Sequence, residues 1–112
     1  MLTSRLPPRL IMGCFMGGMT MPTFIIERDI PGASELSAGE LQEISAKSNK
    51  TVDGLGVPYT WITSYVAGDK FYCVHEALSE DVVREHAERG GFPANRITEV
   101  SSVIGPQTAN SA

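Results

Sequence analysis

Residues 71–97, FYCVHEALSEDVVREHAERGGFPANRI, constrain the fold more than any other stretch of this chain. Phe71, Cys73 and His75 alternate with Tyr72, Val74 and Glu76, the period-2 pattern of a strand with two different faces. Ser79 then takes an N-cap position. Glu80 and Asp81 follow in the first turn, where acidic groups suit the positive end of a helix. Val82, Val83, His86, Ala87 and Gly90 share one broad face at 3–4 spacing, which sets His86 near the buried edge of that helix. Gly90-Gly91 stops the helix and Phe92-Pro93 redirects the chain. This strand-to-helix unit carries both histidines and one of the two cysteines; the other, Cys14, stands far upstream.

The remainder arranges itself around that unit. Residues 23–30, TFIIERDI, begin as a β-branched and aromatic run, end charged, and close on Pro31-Gly32, which predicts a strand. Ser37 with Glu40 three residues on has capping-box spacing. Leu41, Ile44, Ser48, Val52 and Leu55 mark the buried stripe of a first helix, which Gly54 and Gly56 end. Residues 59–66, YTWITSYV, form a second β-prone run, joined to the 71–77 strand by a hairpin turn centred on Gly68-Asp69. Alternation over 96–104 supplies a last strand. The order β-α-β-β-α-β predicts an α+β, ferredoxin-like split βαβ domain, with a four-stranded antiparallel sheet in the order 4-1-3-2 and two helices on one face. Ile25, Tyr59, Trp61 and Val74 cannot all lie on one side of such a sheet. A homodimer of the dimeric α/β-barrel kind would cover the second face.

A chain of 112 residues supports one domain with a modest core, here expected over 21–105. A net charge of −4 with scattered Lys and Arg argues against nucleic acid as a partner. The two cysteines are too far apart in sequence to suggest a disulfide framework, and a reducing cytoplasm suits them. No segment suits a membrane span. Residues 1–20, MLTSRLPPRLIMGCFMGGMT, offer only a short apolar run followed by glycines, barely the roughly 7–15 residues of a signal peptide. They are expected to be an N-terminal extension, disordered or lying upstream of the true start, with translation starting at Met21; a weak export or targeting segment is the alternative. Residues 106–112 are small and polar and are expected to be a disordered tail.

Cys73 and His75, at i and i+2 on a strand, project from one face and offer a thiolate and an imidazole, which suit nickel or zinc. His86 is a candidate third ligand if its helix packs over that face, with Asn49, Glu76 or water to complete the shell. Against this stand the absence of Cys-x-x-Cys or His-x-x-x-His spacing and the ordinary roles of such residues. A buried free cysteine acts as a small hydrophobe, a helix-flank histidine is commonly a hydrogen-bonded structural group, and His75 near a strand end is a candidate for exposure. An alternative function class rests on Trp61 and Tyr65, flanked by Tyr59 and Tyr72. They would line a pocket for a small molecule or haem, with His86 as acid/base or axial ligand. Trp61 as plain core is the competing reading. No Ser–His–Asp order, phosphate loop or dinucleotide fingerprint is present.

Three blocks carry a family resemblance: residues 24–32 (FIIERDIPG), the strand 71–77 (FYCVHEA), and 83–94 (VREHAERGGFPA) leading to an Ile-x-Glu-Val strand at 97–100. Over 21–104 the chain resembles the small domain-of-unknown-function 4242 family, some of whose members are described as nickel-binding. The resemblance implies a ferredoxin-like, usually dimeric protein and a metal site, and it supplies no reaction.

Overall fold

The computed structural model describes residues 21–110, so the expectations for 1–20 and for residues 111–112 lie outside the described residues. Strand β1 (Thr23–Asp29) is followed by a short 3-10 turn (Ala33–Glu35), helix α1 (Ala38–Gly54), strands β2 (Tyr59–Ala67) and β3 (Lys70–Ala77), helix α2 (Glu80–Gly90) and strand β4 (Arg96–Glu99). The strands form one four-stranded sheet in the order β2-β3-β1-β4, every pairing antiparallel. This is the ferredoxin-like α+β arrangement, with the strand order read from the sequence.

Alternation decides what is buried. In β1, Phe24, Ile26 and Arg28 point inward, and in β3, Phe71, Cys73, His75 and Ala77 do so. Val83 of α2 and Leu41 and Ile44 of α1 pack on these inward residues, so both helices cover the same face. Helix α1 starts where the capping box sets it: Glu40 N–H donates to Ser37 Oγ at 3.1 Å and Ser37 N–H to Glu40 Oε1 at 2.9 Å. Helix α2 ends at Gly91, whose φ of 71° is a left-handed conformation that glycine adopts without steric penalty.

Three details depart from the sequence expectation. Strand β4 stops at Glu99 instead of running to 104, because its partner β1 has no residues left to offer. The last bond of that edge joins Val100 N–H to Thr23 O, and Val103 and Ile104 are exposed. Residues 106–110 fold into a 3-10 turn, in which Gly105 N–H donates to Thr108 Oγ1 and Thr108 N–H to Gly105 O. The third departure bears on the site. β2 carries a bulge between Trp61 and Thr63, and an extra residue in one strand flips the alternation beyond it. Tyr59 and Trp61 face inward opposite Ala77 and His75; after the bulge it is Ser64 and Val66 that stand opposite Cys73 and Phe71. Tyr65 is thereby turned to the outer face beside Tyr72, where Ile25 also lies opposite Val74.

Candidate functional site

The buried polar side chains of this domain converge on one place between the sheet and the helices. Arg28 comes from the end of β1, Tyr59 and Trp61 from β2, Cys73 and His75 from β3, Ser48 from α1 and His86 from α2. Beside them opens a cavity of about 480 Å³ whose walls include Ile44, Trp61, Phe71 and Phe92. His75 and His86 are each only 1% exposed, and their rings meet nearly edge to face at 5.1 Å with 81° between planes.

Each histidine has one ring nitrogen tied to a hydroxyl. His75 Nδ1 is hydrogen-bonded to the Tyr59 hydroxyl, and His86 Nε2 to Ser48 Oγ at 3.2 Å. Tyr59 also stacks on His86 at 5.1 Å, as does Phe92 at 5.6 Å. His86 Nδ1 is buried with no hydrogen-bond partner. Burial, then the neighbouring His86 and Arg28 charges, pushes His75 down to about 3. Burial, then Arg28, pushes His86 down to about 4. Both rings are therefore neutral at physiological pH. Burial raises Tyr59 above its ordinary value, so its hydroxyl stays protonated.

Arg28 is the least expected member. The residue is 3% exposed; Nε donates to Cys73 Sγ at 3.3 Å, Nη1 donates to Pro93 O at 2.7 Å, and the guanidinium lies 5.5 Å over the Phe92 ring. The strand pattern held the signal. Phe24 and Ile26 are the inward residues of β1, so Arg28 is the next inward position, while Glu27 and Asp29 form the solvated rim and pair with Lys70. Ser48 and Phe92 were legible only as a helix stripe position and a turn residue.

The structure sorts the sequence candidates as follows. His75 and His86 are brought together, and His75 is not exposed at a strand end. Cys73 shares their face, but its sulfur is turned to Arg28. Among the described residues, no three His, Cys, Asp or Glu side chains are arranged to hold a metal ion. Asn49 is exposed, and Glu76 stands on the other face of β3. Trp61 lines the cavity and donates from Nε1 to Ser64 Oγ at 2.9 Å. Tyr65 is 62% exposed on the outer face, and the cavity lies on the inner one, which corrects its placement in a pocket.

A family model described as nickel responsive protein SCO4226-like matches residues 24–100. The chain belongs to this SCO4226-like family. Among solved structures it is similar to SCO4226 from Streptomyces coelicolor A3(2), with 21% identity and a TM-score of 0.60 over 73% of this chain and 99% of that one, a likeness of fold. No curated protein matches. The family description raises nickel, and the chemistry of the donor set can be tested against it. With Nδ1 of His75 and Nε2 of His86 held by hydroxyls, the other nitrogen of each ring can carry a lone pair, and hydrogen-bonding the remote nitrogen is how metal-binding imidazoles are oriented. His86 Nδ1 is left without a hydrogen-bond partner, and in the tautomer whose Nε2–H donates to Ser48 Oγ it presents a lone pair. Two imidazoles of this SCO4226-like protein thus suit a borderline-soft ion. Cys73, engaged by a cation, does not join them as it stands.

Proposed function

We propose that this protein binds nickel without catalysing a reaction, and that His75 and His86 are the side chains that hold it. The observation carrying this reading is the pair of buried, neutral, adjacent imidazoles, their rings 5.1 Å apart and each hydrogen-bonded to a hydroxyl. The family description and the resemblance to the domain-of-unknown-function 4242 family support the choice of metal. A bound ion would gain two neutral nitrogen donors from buried side chains and would displace no proton from either ring at neutral pH. Cys73 becomes a third donor only if Arg28 releases its sulfur; zinc is the alternative ion on the same donors.

The test is calorimetric titration of nickel, with zinc in parallel, into wild type and the variants His75→Ala, His86→Ala and Cys73→Ser. Loss of either histidine should weaken binding at least about tenfold, the lower end of what even supporting residues contribute. Cys73→Ser should retain most of it. Equal affinity in all four proteins would place the metal elsewhere.

A second reading is favoured by the cavity itself, whose about 480 Å³ falls in the range of small-molecule pockets and is bounded by Trp61 and Phe92. In that reading His86 and Trp61 contact an organic ligand, as in enzymes of the dimeric α/β-barrel type. Two further assignments belong here as proposals. The outer sheet face, with Ile25 and Tyr65 exposed, pairs with a second copy, which light scattering at micromolar concentration would show as a dimer mass. The protein is assigned to the cytoplasm on its buried free thiol, Cys73, which suits a reducing compartment.

A further inference from the structure

We infer that the cavity is a binding site for a small organic carboxylate with an apolar body, and that Arg28 is the group that recognises its negative end. The inference builds on the pocket reading and requires no metal.

The starting observation is a charge without a counter-charge. Arg28 is 3% exposed, yet among the described residues no carboxylate lies within ion-pair distance of it. Glu27 and Asp29, its neighbours in sequence, point to the opposite face and meet Lys70. The neighbours it does have are a thiol sulfur, a carbonyl oxygen and an aromatic ring. A buried ion is expected to be paired, because taking it out of water without compensation costs several kcal/mol. Retaining an arginine here therefore points to a partner that arrives from outside.

The geometry leaves room for that partner. A guanidinium carries five N–H groups in a planar fork. Two are committed, Nε–H to Cys73 Sγ and one on Nη1 to Pro93 O, so the two on Nη2 and the second on Nη1 are open. The one sealed and unpartnered side-chain nitrogen or oxygen among the described residues is His86 Nδ1, so Nη2 is not sealed. Arg28 is one of the residues that line the cavity. The Cys73 and Pro93 contacts fix the plane of the fork, so little orientational freedom remains to be lost when an anion docks.

The other walls define the body of the ligand. Leu41, Ile44, Trp61, Phe71 and Phe92 are apolar, and besides Arg28 the polar contribution comes from hydroxyls such as Ser45 and Ser48, the Cys73 thiol and two imidazoles. A fully hydrated ion such as phosphate would be poorly served by such walls. An apolar body carrying one carboxylate satisfies both the greasy surface and the single cation. Arg28 is the one lysine or arginine among the residues that line the cavity.

The test uses the full chain freed of metal with a chelator, titrated calorimetrically with 3-phenylpropionate, its neutral amide 3-phenylpropanamide, and inorganic phosphate. Trp61, the single tryptophan of the chain, gives an independent fluorescence readout. The carboxylate should bind saturably at one per chain. The amide should bind at least about tenfold more weakly, since it lacks the negative charge and the paired acceptor oxygens that a carboxylate presents to the guanidinium fork. Arg28→Met, which removes the charge but keeps the volume, should abolish the preference for carboxylate over amide. Arg28→Lys, which keeps the charge and loses the fork, should show a reduced preference and serves as the check if the Met variant does not fold. Equal binding of acid and amide would overturn the inference while leaving a pocket in place. Phosphate binding as tight as the carboxylate would overturn the apolar-body half of it. No saturable binding of 3-phenylpropionate at millimolar concentration would overturn the inference as a whole. Nickel titration of the same wild-type preparation reads the metal proposal separately, so neither failure masks the other.

Discussion

Lowering the pH should destabilise this domain through its two histidines before any other effect is invoked. In the folded protein His75 is pushed down to about 3 and His86 to about 4, against about 6.5 for an unperturbed ring. Between those values the unfolded chain binds protons that the folded chain refuses, so stability rises with pH and is lost as pH falls below about 6.5. Near pH 5 each unfolded histidine is almost fully protonated while each folded one remains neutral, which favours unfolding by about 2 kcal/mol per residue. The pair together removes about 4 kcal/mol relative to pH 8, a large share of the roughly 5–15 kcal/mol typical of a whole domain. That figure depends little on how low the folded values lie, provided both stay well below 5. The assay is urea denaturation of metal-free protein at several pH values between about 5 and 8, repeated for His75→Gln and His86→Gln. Each substitution should lower the stability at pH 8 by breaking a hydrogen bond, and should remove about half of the pH-dependent fall. Imidazole NMR, with only two rings to assign, reads the folded protonation directly. A ring protonating near 6.5, or a pH slope unchanged in both variants, would refute the reasoning.

Two structural predictions follow from the same packing. Ile26 is fully buried at the centre of β1, so Ile26→Ala should destabilise the domain by about 2–5 kcal/mol in a denaturant titration; a change under about 1 kcal/mol would mean the core is loose there. Ser37→Ala removes the side-chain half of the α1 capping box and should lower the denaturation midpoint by the equivalent of about 1 kcal/mol with the m-value unchanged; no shift would show that solvent satisfies the freed Glu40 N–H equally well.

The sequence by itself determined the element order, the two helices and the strand order of the sheet. The elements follow from local signals, namely period-2 alternation over 71–77, the Ser37/Glu40 capping box, the Gly68-Asp69 turn and the Gly90-Gly91 stop, and the strand order follows from the split βαβ pattern they make. It also placed His86 on the buried edge of its helix, since 3–4 spacing fixes a face without reference to anything else. The tertiary structure alone decided how the faces combine. Whether Tyr65 faces in or out turned on one extra residue at the β2 bulge, and bulges leave no reliable mark in a run of β-branched and aromatic residues. How far β4 extends was set by the length of β1, its partner strand, and not by the alternation of 96–104. The pairing of His75 with His86, the capture of Cys73 by Arg28, and the burial of that arginine away from any carboxylate of the described residues depend on positions up to 65 apart meeting across a closed core. Local pattern tells each side chain which way to point; which groups then share a cavity is settled only when the sheet and helices close over it.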